Sequence, residues 1–459
     1  MKLQSVRRDL WWKAFQWSAR LNRPGLAAWL LDRAIEGAGG SAVSDGEPAN
    51  ILVLDKPGMS EDARAAFNGD PRFRLFVLDT VGIKAFKAMV SAFLPPEVDD
   101  NNYVNDTPAA VAGRAAYRAF MARTWAALAG RRRIDAVLTG NYAYYAEREL
   151  QAVLEARGTP FIALHKENLK SEGRGAFFID IYRNRRGPFV GRRILVYNAI
   201  EREVQIAAGI AAAESVTVTG MPRLDRMHAW RRLAATARPA PSRRPRALFF
   251  SFTEKTGLPF LPRKDMAGVA GNAEALGDGR DGLAWRGLTR LFHDAAVALA
   301  RAAPDIDVVI KSKADPRSRG VLPNQAAGSG ALPANLSIIS GGDPMTLITG
   351  SDAVTGFIST ALFEALAAGK PVVVPRFAEA ADRAMADYLI DMADAVEYAD
   401  TPEALAGMMA AHARARAAPA AELTAAAAAA LVRWSGNADG QAGPRAAEAV
   451  WAEIAGSIS

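Results

Sequence analysis

"GFISTALFEALAAGKPVVVPRF", residues 356–377, reads as the end of a strand, a tight loop, one short helix and a second strand. Gly369 ends the helix and Pro371 bars its continuation, because glycine accepts the left-handed C-cap conformation and proline has no amide hydrogen. Strand, helix and strand in so few residues make a βαβ unit, which lays two strands parallel. Ser359 and Thr360 fall at the cap of helix 361–368, and Glu364 lies one turn further on. Serine and threonine cap any helix well. At the mouth of a parallel sheet, however, free backbone N–H groups and the helix dipole together form an anion site. Phosphate binding is therefore the favoured role for the two hydroxyls. Glu364 is placed for the sugar hydroxyls of the same nucleotide; its structural role would be to complement the dipole or close a capping box.

The same grammar extends outward in both directions. In the first half, strands are expected at 50–56, 74–80, 135–141, 160–168, 193–199 and 215–220; in the second half, at 246–252, 307–313, 336–341, 352–357 and 370–377. Each short β-branched run precedes a helical segment, so both halves are α/β. Between them, "RRLAATARPAPSRRPR" (231–246) has three prolines, six arginines and almost nothing to bury, the composition of a linker. The expected division is a basic, Trp-rich helical segment (1–45), an N-terminal domain (46–230), that linker, and a C-terminal domain with terminal helices (247–459). A glycine-rich stretch, 264–282, reads as a mobile loop.

Bulk properties agree with two cores. The chain has 459 residues, half of them hydrophobic and 23% charged, against about 150 residues for a domain. No cysteine occurs, which excludes disulfides, thiolate metal sites and cysteine nucleophiles, and fits a cytoplasmic location. The four histidines lack metal-ligand spacing, so no metal site is expected. No G-x-x-x-x-G-K-[ST] or G-x-G-x-x-G run is present, which argues against P-loop and dinucleotide enzymes. The net charge of +7 favours anionic partners. Residues 1–31 concentrate it: Lys2, Arg7, Arg8, Lys13, Arg20 and Arg23 stand against Asp9, among four tryptophans. Val6, Leu10, Ala14, Trp17 and Leu21 recur at helical spacing, which suits either a helix lying on an anionic membrane surface or one packed on its own domain. The clusters "RRRID" (131–135) and "RNRRGPFVGRR" (183–193) lack a nucleic-acid reader module and are expected to face an anionic acceptor or lipid phosphates.

Three segments carry a resemblance. The Ser-Thr pair followed by "LFEALAAGKPVVVP" resembles the nucleotide-binding segment of GT-B glycosyltransferases and the related sugar-nucleotide 2-epimerases. The resemblance implies two Rossmann-like domains facing a cleft, the donor diphosphate at Ser359 and Thr360, and the ribose at Glu364. "VTVTGMPRLDRM" (216–227) resembles the run that closes the first domain in capsule-type and epimerase-type members; from the residues alone, Arg223 with Asp225 is a local ion pair. "ALHKENLKSEGRG" (163–175) resembles the His-x-Glu loop of the 2-epimerases, which makes Glu167 the candidate base and His165 its companion. Cations for the phosphates are expected at Lys311 and Lys313, with Ser251, Thr253 and Lys255 in a polar loop after the strand beginning at residue 246. The His-Pro pair common at the end of the Lys311 strand in capsule Kdo and polyol-phosphate transferases is missing, which puts those donors in doubt. The resemblance thus implies transfer from a nucleotide sugar, as substrate and with no further cofactor, to a surface polysaccharide or lipid-linked glycan. It places such a protein in the cytoplasm or on the inner face of the plasma membrane. The alternatives are a 2-epimerase and a non-catalytic scaffold that binds membrane or glycan.

Overall fold

The computed structural model describes residues 2–38, 47–56, 58–100, 102–237, 243–258, 283–312 and 332–458. Loop 264–282 and Lys313 lie outside the described residues. The chain divides into two units. The first comprises residues up to Asn168, Ala176–Arg223 and those from Gln441 on; the second comprises Leu169–Gly175 and Leu224–Gly440.

In the first unit, helices α1 (Lys2–Arg20) and α2 (Pro24–Ala34) lead into β1 (Ile35–Ala38) and β2 (Ala49–Leu54). There follow α3 (Met59–Phe67), β3 (Phe73–Leu78), α4 (Ala85–Val90), α5 (Pro108–Ala129), β4 (Ala136–Thr139), α6 (Arg148–Glu155) and β5 (Phe161–Leu164). Then come α7 (Gly175–Ile181), β6 (Arg193–Val196), α8 (Ala199–Ala207) and β7 (Val216–Val218). The sheet order is β1-β3-β2-β4-β5-β6-β7, parallel throughout except for β1, which pairs antiparallel with β3. Residues of β2, β4 and β5 are buried without alternation, as expected for strands covered on both faces.

The second unit contains α9 (Leu224–Thr236), β8 (Arg246–Phe250), α10 (Arg286–Ala302), β9 (Asp307–Ser312), β10 (Leu336–Ser340), α11 (Pro344–Thr349) and β11 (Ala353–Thr355). It continues with α12 (Thr360–Ala367), β12 (Val372–Pro375), β13 (Glu397–Ala399), α13 (Pro402–Ala415) and α14 (Ala425–Ser435). Helix α15 (Ala442–Ile458) returns to the first unit. The second sheet is wholly parallel, in the order β10-β9-β8-β11-β12-β13. Numbered from β8, this is the doubly wound order 3-2-1-4-5-6, with its switch point between β8 and β11. Both units are Rossmann-like α/β sheets, as read from the sequence.

Two boundaries differ from that reading. Residues 231–236 continue helix α9, and Arg231 is buried there, its guanidinium donating to Ala421 O and Ala367 O at 3.1 and 3.0 Å. Helix α15 belongs to the first unit because Ala446, Ala447, Val450 and Ile454 complete that core, while Arg193 pairs with Glu453 and Trp451 meets Phe73 edge-on. Helix α1 packs on its own unit through Phe15, Ser18 and Ala19, yet Leu10, Trp17 and Leu21 remain outside the packing. Among the described residues, no helix is long and apolar enough to cross a membrane.

Candidate functional site

The switch point of the second sheet carries the motif that opens β11–α12–β12. Ser359 is the N-cap of α12: its extended backbone turns the chain, and its Oγ accepts from Ala361 N at 3.3 Å. Thr360 is the first helical residue and shares the partly open first turn with Ser359. Glu364 stands in the second turn, at 7% exposure, four residues from Thr360 and so on the same face. No capping box forms, since the residue three beyond the cap is Leu362. Just before the cap, Ile358 takes φ +43°, a left-handed conformation that a β-branched residue adopts only under constraint. The side chain of Ile358 fills the space where a Cβ on Gly257 would come within 2.9 Å, which ties the loop after β8 to the loop after β11.

Ser359 opens on a cavity of about 260 Å³ at the carboxyl ends of β11, β12 and β13. Its wall is mainly apolar, with Ile358, Leu362, Pro375, Leu389 and Met392, and carries Arg376, Asp391 and Tyr398. The polar groups are fixed in place. Arg376 Nε donates to Asp400 Oδ1 at 2.9 Å and its guanidinium lies 5.0 Å from the centre of the Tyr398 ring. Tyr398 OH donates to Asp391 Oδ1 at 3.1 Å, and burial pushes its pKa up to about 12. The neighbouring helix differs. The N-terminus of α10 is filled from within the chain, for Gly287 N and Leu288 N both donate to the Glu379 carboxylate at 2.7 Å.

The other donor-side candidates lie on adjacent strands. Lys311 is at the end of β9, with its Nζ donating to Ser312 O at 2.9 Å; burial lowers its pKa. Ser251 follows β8, with its Oγ 3.0 Å from His293 Nε2. Thr253 Oγ1 lies 3.2 Å from Thr256 Oγ1, and Lys255 Nζ donates to Leu283 O at 2.8 Å. Because β9, β8 and β11 are neighbours, Lys311, Ser251 and Ser359 follow one edge of the same parallel sheet.

In the first unit, His165 and Glu167 follow β5 and part company. His165 is fully buried, with Nε2 3.0 Å from Glu201 Oε1, and Tyr182 OH and Gln205 Nε2 donate to that same oxygen at 3.2 and 2.7 Å. Its imidazole is closed to the surface in this arrangement. The Glu167 carboxylate is 59% exposed and 3.7 Å from Lys166 Nζ. Asn168 seals the turn by accepting from Tyr197 N at 2.9 Å.

Arg223 and Asp225 each make a contact with a residue distant in sequence. Arg223 Nη1 meets Asp62 Oδ2 at 2.9 Å, and Asp225 accepts from Asn437 Nδ2 at 2.6 Å. Several cations of the basic clusters pair within the fold: Arg192 with Glu155, Arg193 with Glu453, Arg132 with Asp32 and Arg133 with Glu47 and Asp135; Arg186 is half-buried, while Arg131 and Arg183 are exposed.

Sequence reasoning missed the lip of the first sheet's own switch point, between β2 and β4. Lys56 Nζ lies 2.9 Å from Glu147 Oε1 and 4.3 Å from the centre of the Tyr144 ring, while Thr139 donates to Glu147 Oε2 at 2.6 Å. A Cβ on Gly140 would lie 3.1 Å from Met59 Cβ, so glycine permits this close approach. The run "NYAYYAE" (141–147) was the available signal. Among the described residues no group of three or more His, Asp or Glu is placed to hold a metal ion.

No protein-family model matches this chain, and no curated protein does. Solved structures similar to it include a UDP-GlcNAc 2-epimerase from Neisseria meningitidis bound to UDP-GlcNAc, at 11% identity and TM-score 0.46, covering 89% of this chain and 99% of that one. The wall teichoic acid polymerase TagF is similar at 10% identity and TM-score 0.46, with both chains covered in full. A UDP-forming trehalose-phosphate synthase from Burkholderia xenovorans is similar at 12% identity and TM-score 0.44, covering 90% of this chain and 100% of that one.

Proposed function

We propose that the chain is a glycosyltransferase that uses a nucleotide-sugar donor and a surface-polysaccharide or lipid-linked glycan as acceptor. One observation carries this reading: the first turn of α12, capped by Ser359, opens on a cavity at the carboxyl ends of β11, β12 and β13 in a 3-2-1-4-5-6 sheet. The donor diphosphate sits on that turn, with Ser359 and Thr360 as hydroxyl partners. Glu364 accepts from the ribose hydroxyls, and the apolar cavity takes the base. Lys311 and the helix dipole stabilise the departing nucleoside diphosphate. The bond from the anomeric carbon to the phosphate oxygen breaks, a bond to the acceptor oxygen forms, and the acceptor proton passes to Glu167.

A 2-epimerase is the second reading, favoured by the His165-x-Glu167 loop. The test is a thermal-shift screen over nucleotide sugars, followed by incubation of the stabilising donor without an acceptor. A donor at a hundred times its Kd stabilises by about 2.7 kcal/mol. A rise in Tm with no isomerised product in the absence of acceptor supports transfer. Isomerised product would make the protein an epimerase, and no rise with any nucleotide sugar would overturn both.

A further inference from the structure

Of the twelve large hydrophobic side chains that stand exposed among the described residues, five fall within twenty positions of the N-terminal pair of helices: Leu10, Trp17, Leu21, Leu26 and Trp29, at 65, 61, 66, 44 and 42% exposure. We propose that α1 and α2 form a docking face for an anionic lipid bilayer, on which the first unit rests with these side chains among the headgroups. The inference goes beyond the enzymatic reading and does not depend on it.

Helix periodicity separates the anchoring face of α1 from its free face. Phe15, Ser18 and Ala19 hold α1 to its own unit, Trp11 stacks on Phe15 at 5.7 Å, and Gln16 Nε2 donates to Ser91 Oγ at 3.1 Å. At 100° per residue, Leu10, Trp17 and Leu21 cluster on a different side, with exposed Lys13 and Arg20 beside them. On α2 the spacing of Leu26, Trp29 and Arg33 makes a second exposed stripe, opposite the buried Ala27, Ala28, Leu31 and Ala34, and Arg33 lies 5.6 Å from the Trp29 ring centre. The helices thus present tryptophan and leucine while remaining packed in the fold.

Charge decides the occupant. Residues 1–34 hold seven basic side chains against two acidic ones, so this short segment carries most of the chain's net charge of +7. Tryptophan and leucine bordered by lysine and arginine match the boundary between acyl chains and anionic headgroups. A second copy seated on the same face would set these cations against their own counterparts. A bilayer of anionic lipid neutralises them.

The experiment sediments the full chain with vesicles of phosphatidylcholine alone or mixed with phosphatidylglycerol, reading Trp fluorescence alongside. The chain is expected to sediment with the anionic vesicles only, with a blue-shifted emission, and less as salt rises. The exposed-face variant Leu10→Ser with Trp17→Ser and Leu21→Ser, and separately Lys13→Glu with Arg20→Glu, should each weaken partitioning by roughly tenfold or more. These side chains leave the core intact, and far-UV circular dichroism confirms the fold of each variant before it is compared. The proposal is overturned by a wild-type chain that stays in the supernatant, by variants that sediment as the wild type does, or by equal binding to neutral vesicles. A dimer that the triple variant dissolves, with no vesicle binding, would assign the face to a second copy and overturn it too.

Discussion

Arg223 and Asp62, 161 positions apart, are locked together inside the first unit. Nη1 lies 2.9 Å from Oδ2, the Arg223 backbone N donates to Oδ1 at 3.1 Å, and Tyr197 OH donates to the same carboxylate. Arg223 Nη1 also donates to Gly58 O at 3.2 Å, so one guanidinium joins the end of β7 to the loop before α3 and to Tyr197 beyond β6. Burial raises the Asp62 pKa, and Arg223 opposes that shift.

Removing either partner strands a buried charge. Asp62→Ala and Arg223→Ala should each destabilise the first unit by about 3–5 kcal/mol, read as a lower denaturant midpoint. Arg223→Lys should fail to restore it, because a lysine cannot reach several acceptors with a planar fork. A midpoint unchanged in Arg223→Ala would show that the pair adds nothing.

Ser359 has two roles that can be pulled apart. Ser359→Ala should cost about 1 kcal/mol of stability as a lost cap. It should also weaken nucleotide-sugar binding by about tenfold, as expected when a hydrogen bond to a charged group is lost. Ser359→Asp keeps the cap and suits the helix dipole, so stability is retained, but its charge repels a diphosphate. Wild-type donor affinity in the aspartate variant, measured by calorimetry, would remove the phosphate from this turn.

The pH dependence of stability should show two buried histidines. Burial lowers the pKa of His228 and of His293 to about 4, from 6.5. Between these values the unfolded chain binds protons that the folded chain refuses, so stability rises with pH. The contribution is complete above about 6.5 and is lost as pH falls towards about 4, by about 3 kcal/mol for each histidine. His293→Gln should flatten the stability profile over this window by close to one proton, and an unchanged slope would mean that His293 is accessible to protons in the folded state.

How much of this was legible depended on the range of the interaction. Eleven strands were readable because runs such as Asn50–Leu54 and Val372–Val374 are apolar, β-branched and closed by polar residues, glycine or proline. Strands β1 and β13 were not, since Ile35–Ala38 and Glu397–Ala399 are short edge strands whose pairing comes from neighbours distant in sequence. The cap at Ser359 is a local signal and was found. The Asp62 partner of Arg223 is not local, and nothing in the sequence pointed to it. Alanine-rich α15 carries the same pattern whichever core it covers, so its return to the first unit was invisible. His165 looked catalytic in sequence, but Glu201, Tyr182 and Gln205, which enclose it, come from later elements.

Glu167 now stands apart from His165 as the group able to meet an acceptor, because the carboxylate is exposed where the imidazole is sealed. A general base contributes about 10²–10⁴ in rate, so Glu167→Gln should lower kcat by that factor. Donor binding should survive, since the residues assigned to the diphosphate are on the second sheet; the thermal shift with donor should stay within error of wild type. Glu201→Gln tests the other half of the argument: it disturbs the support of His165 and should move stability and kcat together. Should Glu167→Gln transfer sugar at the wild-type rate while Glu201→Gln does not, the base belongs elsewhere on the first unit's edge.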